Sequence, residues 1–123
     1  MAELTIFDRA IAAHAKWKYR LFQAINTGKS EWTVAEIRAD DRCDFGDWLN
    51  HLPVAKRTDE RYSRVRSLHT EFHKVASEVL ALALSGKKEE AQVAMSMGSP
   101  FTEVSAQLVL SLSKWAKSDT KPD

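Results

Sequence analysis

The sequence is poor in the residues that interrupt helices or cross-link a chain. Its 123 residues include four glycines, three prolines and a single cysteine. One cysteine cannot form an internal disulfide, and the first residues lack the basic and apolar regions of a signal peptide. These absences predict a cytoplasmic protein, in a reducing compartment, whose cysteine is an inert core residue, a reactive thiol or a metal ligand.

Strong charge of either sign and long apolar runs are also missing. Eighteen basic residues against seventeen acidic ones leave a formal charge of +1, which disfavours nucleic-acid binding because such surfaces need clustered basic residues. No apolar run approaches the roughly 20 residues that span a bilayer, so we expect no membrane insertion. What is present, 44% hydrophobic and 28% charged residues, is typical of one soluble globular domain.

Apolar residues recur every three or four positions in three long segments, and this spacing predicts three amphipathic helices. Gly28 and Gly86 follow the first two segments, where a glycine favours helix termination. Ser99 and Pro100 precede the third, as a cap and a first helical residue. The predicted helices run from Leu4 to Ile25, from about Asp59 to Leu84, and from Pro100 to about Trp115.

Two shorter helices are expected between the long ones. One passes through Cys43, is capped by Asp40 or Asp41 and stops before Pro53, and the other spans 87–97. Residues 29 to about 40 show no sustained period and are predicted to form a connecting loop with a little local structure. The predicted fold is therefore all-α, an antiparallel four-helix bundle with a short extra helix that carries the cysteine. We expect the domain to span residues 1–118 and a polar tail to span 119–123.

Three histidines and the cysteine fall on helix faces that can turn inward. His14 lies on the apolar stripe of the first helix, and Cys43 stands near the start of the short helix, where backbone N–H groups favour a thiolate. His69 and His73 are four residues apart, so their Cβ atoms lie about 5–6 Å apart on one face. Three imidazoles and one thiolate are the donors of a closed tetrahedral zinc site. This mixture favours zinc or copper over magnesium or calcium.

Each of these residues also has a purely structural interpretation. A buried histidine is more often hydrogen-bonded within a core, and a single cysteine is more often a small apolar residue. Four protein ligands disfavour an enzyme, because no metal position remains for substrate, and Glu71 points away from the histidine face. A haem bundle with His14 and His69 as axial ligands leaves Cys43 and His73 unexplained.

Several segments of the chain resemble the chemoreceptor zinc-binding domain family, CZB. The order of one histidine, one cysteine and a His-x-x-x-His pair is specific to that family, and the resemblance extends over nearly the whole chain. It implies a four-helix bundle that holds Zn²⁺ through His14, Cys43, His69 and His73. The segments are AHAKWKYRL with His14, RCDFGDWL around Cys43, LHTEFHKVA with His69 and His73, and GSPFTEVSAQLVLSLSKW.

The resemblance also implies a regulatory role in bacterial signalling rather than catalysis. Family domains serve chemoreceptors or diguanylate cyclases, in cis or in trans, control chemotaxis or cyclic-di-GMP output, and often form homodimers. Their inputs are zinc availability and oxidation of the ligating cysteine by hypochlorous acid, which makes Cys43 the expected redox-reactive group. The alternative hypothesis is a zinc-stapled bundle that acts as a protein-interaction module. The chain carries neither a methyl-accepting coiled coil nor a cyclase domain, so we expect a stand-alone member or an excised domain.

Residues beside the expected ligands are candidates for supporting contacts. Asp44 and Asp47 flank the cysteine segment, where a carboxylate can bond a ligating histidine or influence the thiol. Trp17 and Trp48 match positions at which the family carries aromatic residues. Core packing is the favoured interpretation of both tryptophans. His51 has no partner at a useful spacing and is interpreted as a surface or structural histidine.

Overall fold

The computed structural model of the protein describes residues 6–39 and 43–120. Within these ranges the chain forms six α-helices and one short 3-10 helix, and it contains no β-strand. This confirms the all-α prediction. In chain order the elements are α1 (Ile6–Thr27), α2 (Val34–Arg38), α3 (Asp44–Asn50), the 3-10 helix (Val54–Thr58), α4 (Glu60–Leu84), α5 (Lys88–Ala94) and α6 (Pro100–Thr120).

Predicted signals mark the end of α1 and the starts of α4 and α6. Gly28, at a φ of 72°, follows α1, and its N–H donates to the carbonyl of Ala24 at 2.7 Å. A residue with a side chain would be strained at this left-handed φ. Asp59 caps α4 by accepting from the N–H of Arg61, and the Ser99 hydroxyl accepts from the N–H of Thr102 at the start of α6.

The three long helices share one core. α4 packs against α1 and α6, and α1 packs against α6. The predicted apolar stripes of α4 and α6 are buried in this core, so the 3.6-residue period identifies the correct helix faces. The stripe residues are Tyr62, Val65, His69, Phe72, Ala76, Val79 and Ala83 on α4, and Phe101, Val104, Leu108, Leu112 and Trp115 on α6.

The structure specifies the local structure within residues 29–40 and corrects the cap predicted for the short helix that follows. The expected loop contains α2, which Thr33 and Glu36 open with a reciprocal capping box. Cys43 is itself the N-cap of α3, so the prediction of an aspartate cap was wrong. The two aspartates proposed for that role lie outside the described residues, as does Leu4.

The ends of several other helices also differ from the predictions. α5 covers Lys88–Ala94, which is shorter than the predicted 87–97 segment, and a 3-10 helix follows Pro53. α6 continues to Thr120, beyond residue 118. No helix in the described part of the chain combines the length and the apolarity needed to cross a membrane.

Candidate metal centre

Three structural elements bring the four predicted ligand residues together. α1 supplies His14, α4 supplies His69 and His73, and the turn before α3 supplies Cys43. The three imidazoles are buried, with exposed fractions of 4%, 1% and 3%, whereas Cys43 is only partly buried. The cysteine is therefore the most accessible member of the cluster.

The donor atoms converge on one point. One ligand atom from each of the four residues lies within 4.8 Å of the other three. The Nε2 atom of His73 lies 3.4 Å from Nε2 of His14 and 3.1 Å from Nε2 of His69. The Sγ atom of Cys43 lies 3.3 Å from Nε2 of His69 and 3.8 Å from Nε2 of His73.

The four separations given above, out of six between the donor atoms, are close to the edges of a zinc tetrahedron. Zn–N bonds of about 2.05 Å and a Zn–S bond of about 2.3 Å place ligands about 3.3 Å apart for two nitrogens and about 3.6 Å apart for nitrogen and sulfur. The observed nitrogen pairs and sulfur–nitrogen pairs fall within a few tenths of an ångström of those values. The donor types and their spacing therefore fit Zn²⁺.

Backbone carbonyls set the orientation of two rings. Nδ1 of His14 donates to the carbonyl of Ala10 at 2.6 Å, one helical turn earlier in α1. Nδ1 of His73 donates to the carbonyl of Ile37, in α2, at 2.7 Å. A proton on Nδ1 leaves the Nε2 lone pair available, which is the usual support for a metal-bound histidine. In both residues Nε2 is the atom that faces the cluster.

Burial also keeps the rings of His14 and His69 unprotonated. It lowers the pKa of His14 from 6.5 to about 4, against the smaller opposing effect of the hydrogen bond to Ala10. It lowers the pKa of His69 to about 2, and the neighbouring rings of His73 and His14 add to the effect. Only a neutral imidazole can bind a metal, so both residues are in the binding form at neutral pH.

Cys43 combines two roles in one sulfur atom. Its Sγ accepts a hydrogen bond from the N–H of Gly46 at 3.3 Å, which caps the first turn of α3. The same sulfur contacts Nε2 of His69 and His73. A backbone donor aimed at sulfur favours the thiolate, which is the form that binds metal. The start of α3 is thus in direct contact with the cluster of donor residues.

A cleft of about 710 Å³ leads from the protein surface to one side of the cluster. Its walls include His14, Cys43 and His73, together with Trp17 and Trp32. Cys43, which is partly exposed, therefore lies on the wall of a surface cleft.

The aspartates beside the cysteine do not support the ligand rings. Asp44 is exposed on α3 and lines the cleft, and no hydrogen bond joins it to any of the three clustered histidines in the described structure. Asp47 instead pairs with His51, whose Nδ1 lies 3.3 Å from the carboxylate, and both side chains are exposed. This places His51 at the surface, one of the two positions expected for it.

The two tryptophans have different surroundings. Trp48 stacks on Phe45, with ring centroids 5.6 Å apart, and its edge meets Phe7. Phe45 in turn lies 5.3 Å from the ring of His69. Trp48 therefore belongs to the aromatic core one ring removed from the ligands. Trp17 lies on the wall of the cleft and is half-buried.

The sequence analysis missed the contribution of α2. The Ile37 carbonyl orients His73, and nothing in the identity of Ile37 marks its backbone for that role. The available signal was the pair Thr33 and Glu36, whose spacing is that of a capping box and indicates a helix start. Recognising it would have placed a helix where a loop was predicted.

Four converging donors between helices define the class of protein, a helical metal-binding domain. The sequence profile of the chemoreceptor zinc-binding domain, CZB, matches residues 14–80, more than half of the chain. The protein belongs to this family, and zinc is its metal. The matched range begins at His14 and contains all four donor residues, whereas α6 lies outside it. No curated protein and no solved structure gives a significant match.

Proposed function

We propose that the protein is a zinc-binding regulatory domain of bacterial signalling, and that His14, Cys43, His69 and His73 are the zinc ligands. The observation that carries this proposal is the convergence of their donor atoms, which lie within 4.8 Å of one another. Four protein ligands fill the coordination shell of a structural zinc ion, so no position is left for a substrate. The proposed role is accordingly regulatory and not enzymatic.

The proposed architecture is an antiparallel four-helix bundle of α1, α4, α5 and α6. Packing of α4 against the other three helices, and of α1 against α5 and α6, supports this arrangement. In it, α3 is the short extra helix that brings the cysteine to the bundle. The zinc ion would then join the bundle to this extra helix.

Oxidation of Cys43 is the proposed input, with zinc availability as the second. The thiolate sulfur transfers two electrons to hypochlorous acid, so that R–S⁻ and HOCl give R–SOH and Cl⁻. The sulfenic acid lacks the negative charge that zinc favours, which weakens one corner of the site. Because Cys43 also caps α3, loss of the Zn–S bond would change the start of that helix. The cleft supplies access for the oxidant.

The proposed setting follows from the family. As a cytoplasmic homodimer, the domain would pass its signal to a chemoreceptor or a diguanylate cyclase, in cis or in trans, and control chemotaxis or cyclic-di-GMP output. The near-neutral charge of +1 supports a protein partner over a nucleic acid.

Elemental analysis and circular dichroism test the zinc proposal. We expect about one zinc per chain in the wild-type protein, weaker zinc binding in Cys43→Ala, and unchanged zinc binding in His51→Ala, whose exposed ring is the matched control. Helicity should persist after chelation. Wild-type protein without zinc would contradict the proposal. Helicity that collapses on chelation would instead identify zinc as a structural staple.

Oxidant-dependent zinc release tests the proposed input. With a chromogenic chelator present, hypochlorous acid should release zinc from wild-type protein, and sulfenic acid should form on Cys43. A zinc-loaded Cys43→Ala sample should show no oxidant-dependent acceleration. Equal acceleration in both proteins would rule out Cys43 as the redox-sensitive group.

A further inference from the structure

The five-residue helix α2 carries a hydrogen-bond acceptor of the site but cannot be stable alone. Isolated helices shorter than about 12–15 residues are marginal in water. The carbonyl of Ile37 nevertheless meets Nδ1 of His73 at 2.7 Å. The orientation of His73 therefore depends on whatever holds α2 against the rest of the protein.

α2 packs against α4 and buries Ile37 in the core, and an aromatic–cation cluster lies at its N-terminal end. The guanidinium carbon of Arg20 lies 4.7 Å from the ring centroid of Trp17 and 4.3 Å from that of Trp32. The two indole rings are 5.1 Å apart in an edge-to-face arrangement. Trp17 and Arg20 belong to α1, whereas Trp32 directly precedes Thr33, the N-cap of α2.

Trp32 is the contact between this connecting segment and the helices. Every residue of 28–33 except Trp32 is exposed. The hydrogen bonds of the segment are local, such as the one from the N–H of Trp32 to the hydroxyl of Ser30. A cation near the rings of two tryptophans is favourable, because the face of an indole ring carries partial negative charge. Arg20 therefore fastens the start of α2 to α1.

We propose that Trp17, Arg20 and Trp32 form a clamp that positions α2 and thereby sets the zinc affinity of the site. The clamp acts through the Ile37 carbonyl on the His73 ring, so its members are positioning residues and not ligands. The inference rests on the proposed function in one respect, because it takes His73 as a zinc ligand. Partners that orient ligating histidines typically change metal affinity by about 10–100-fold when they are lost.

Zn²⁺ competition against a chromogenic chelator tests the clamp. We expect Trp32→Ala and Arg20→Gln each to weaken Zn²⁺ binding by about tenfold or more. Trp32→Phe and Arg20→Lys retain an aromatic face and a cation, and should recover most of the affinity. Lys18→Ala, an exposed position on the same helix, is the matched control and should stay within about twofold of wild type.

Two further measurements separate positioning from general destabilisation. Co²⁺-substituted Trp32→Ala should show weaker visible absorption than wild type, since that absorption reports tetrahedral geometry. The double variant of Trp32→Ala with Arg20→Gln should bind Zn²⁺ about as well as either single variant, because both changes remove one clamp. Strictly additive losses would contradict a shared clamp.

The outcomes distinguish the clamp from the proposed function. Wild-type protein that takes up no Zn²⁺ would contradict the proposed function itself. Wild-type protein that binds Zn²⁺, with equal affinity in Trp32→Ala and Arg20→Gln but lower urea midpoints in both variants, would contradict the clamp alone. Such a result would make the cluster a stabilising contact without influence on the metal.

Discussion

At the scale of single residues, burial of an imidazole ring affects protons and metal in opposite ways. The pKa of His14 falls to about 4 and that of His69 to about 2, mainly because a charged ring would lose its hydration. The lone pairs thus remain available for zinc at neutral pH. In the unfolded chain the same rings titrate near pH 6.5, so acid favours the unfolded state.

The metal-free protein should therefore lose stability in acid within a defined range. The free energy of unfolding should be at its full value above about pH 6.5 and should decline as the pH falls toward 4, by up to about 1.4 kcal/mol per pH unit for each histidine. The sign follows because below pH 6.5 the unfolded chain binds more protons than the folded one. Urea unfolding at pH 7.5, 6 and 5 measures the effect.

Two variants serve as references for this pH dependence. His14→Gln removes one buried imidazole, so the slope below pH 6.5 should become smaller. His51→Gln removes an exposed imidazole, so the slope should match that of the wild type. A slope that does not change in the first variant, or that changes in the second, would contradict burial as the cause.

At the scale of elements, length decides what can be predicted from sequence. α4 and α6 each bury a stripe over several turns, so periodicity identifies both the helices and their inward faces. α2 has five residues, too few for a period to emerge. It is held by the contact of Trp32 with α1 and by its packing against α4, and neither contact appears in a periodic pattern.

The features of the metal site also differ in how far the sequence predicts them. His69 and His73 could be predicted as a pair because one helix fixes their separation. His14 and Cys43 could be added from their inward faces and chemistry, and the structure brings all four within reach of one ion. The carbonyl partner of His73 could not be predicted, because it depends on the docking of a helix that the pattern does not show.

Two helix caps offer a matched test of whether α2 influences the zinc site. Thr33→Ala and Ser99→Ala each remove a hydroxyl that accepts a backbone N–H, a change that costs about 1 kcal/mol of stability. Only Thr33 starts the helix whose carbonyl contacts His73. We expect zinc affinity to fall in Thr33→Ala and to remain unchanged in Ser99→Ala, in chelator competition on both proteins. Equal affinities would show that the α2 cap does not influence the site.

At the scale of the whole molecule, the apolar core extends well beyond the metal site. Leu108 and Leu112 of α6 are fully buried, and none of the four donor residues of the cluster belongs to α6. The core should therefore maintain the fold without zinc, and bound zinc should add stability by mass action, about 2.7 kcal/mol at a free concentration 100 times the dissociation constant.

Leu108→Ala tests the independence of core and site. It should lower the free energy of unfolding by about 2–5 kcal/mol, because the lost side chain leaves a cavity. The loss should be the same within about 0.5 kcal/mol with and without zinc, since the two contributions add. Thermal or urea unfolding of metal-free and zinc-loaded samples gives both values. A much larger loss in either state would show that packing and metal binding are coupled.

The position of α6 outside the set of four donor residues has a mechanical consequence. The four donor residues all lie between His14 and His73, so a bound ion would act as a cross-link that ties α1, the turn before α3 and α4 to one point. α6 is joined to α1 and α4 by packing. When the two ends of the chain are pulled apart, α6 should separate from α1 and α4 first, at low force. The cross-linked part should then resist until a metal–ligand bond breaks.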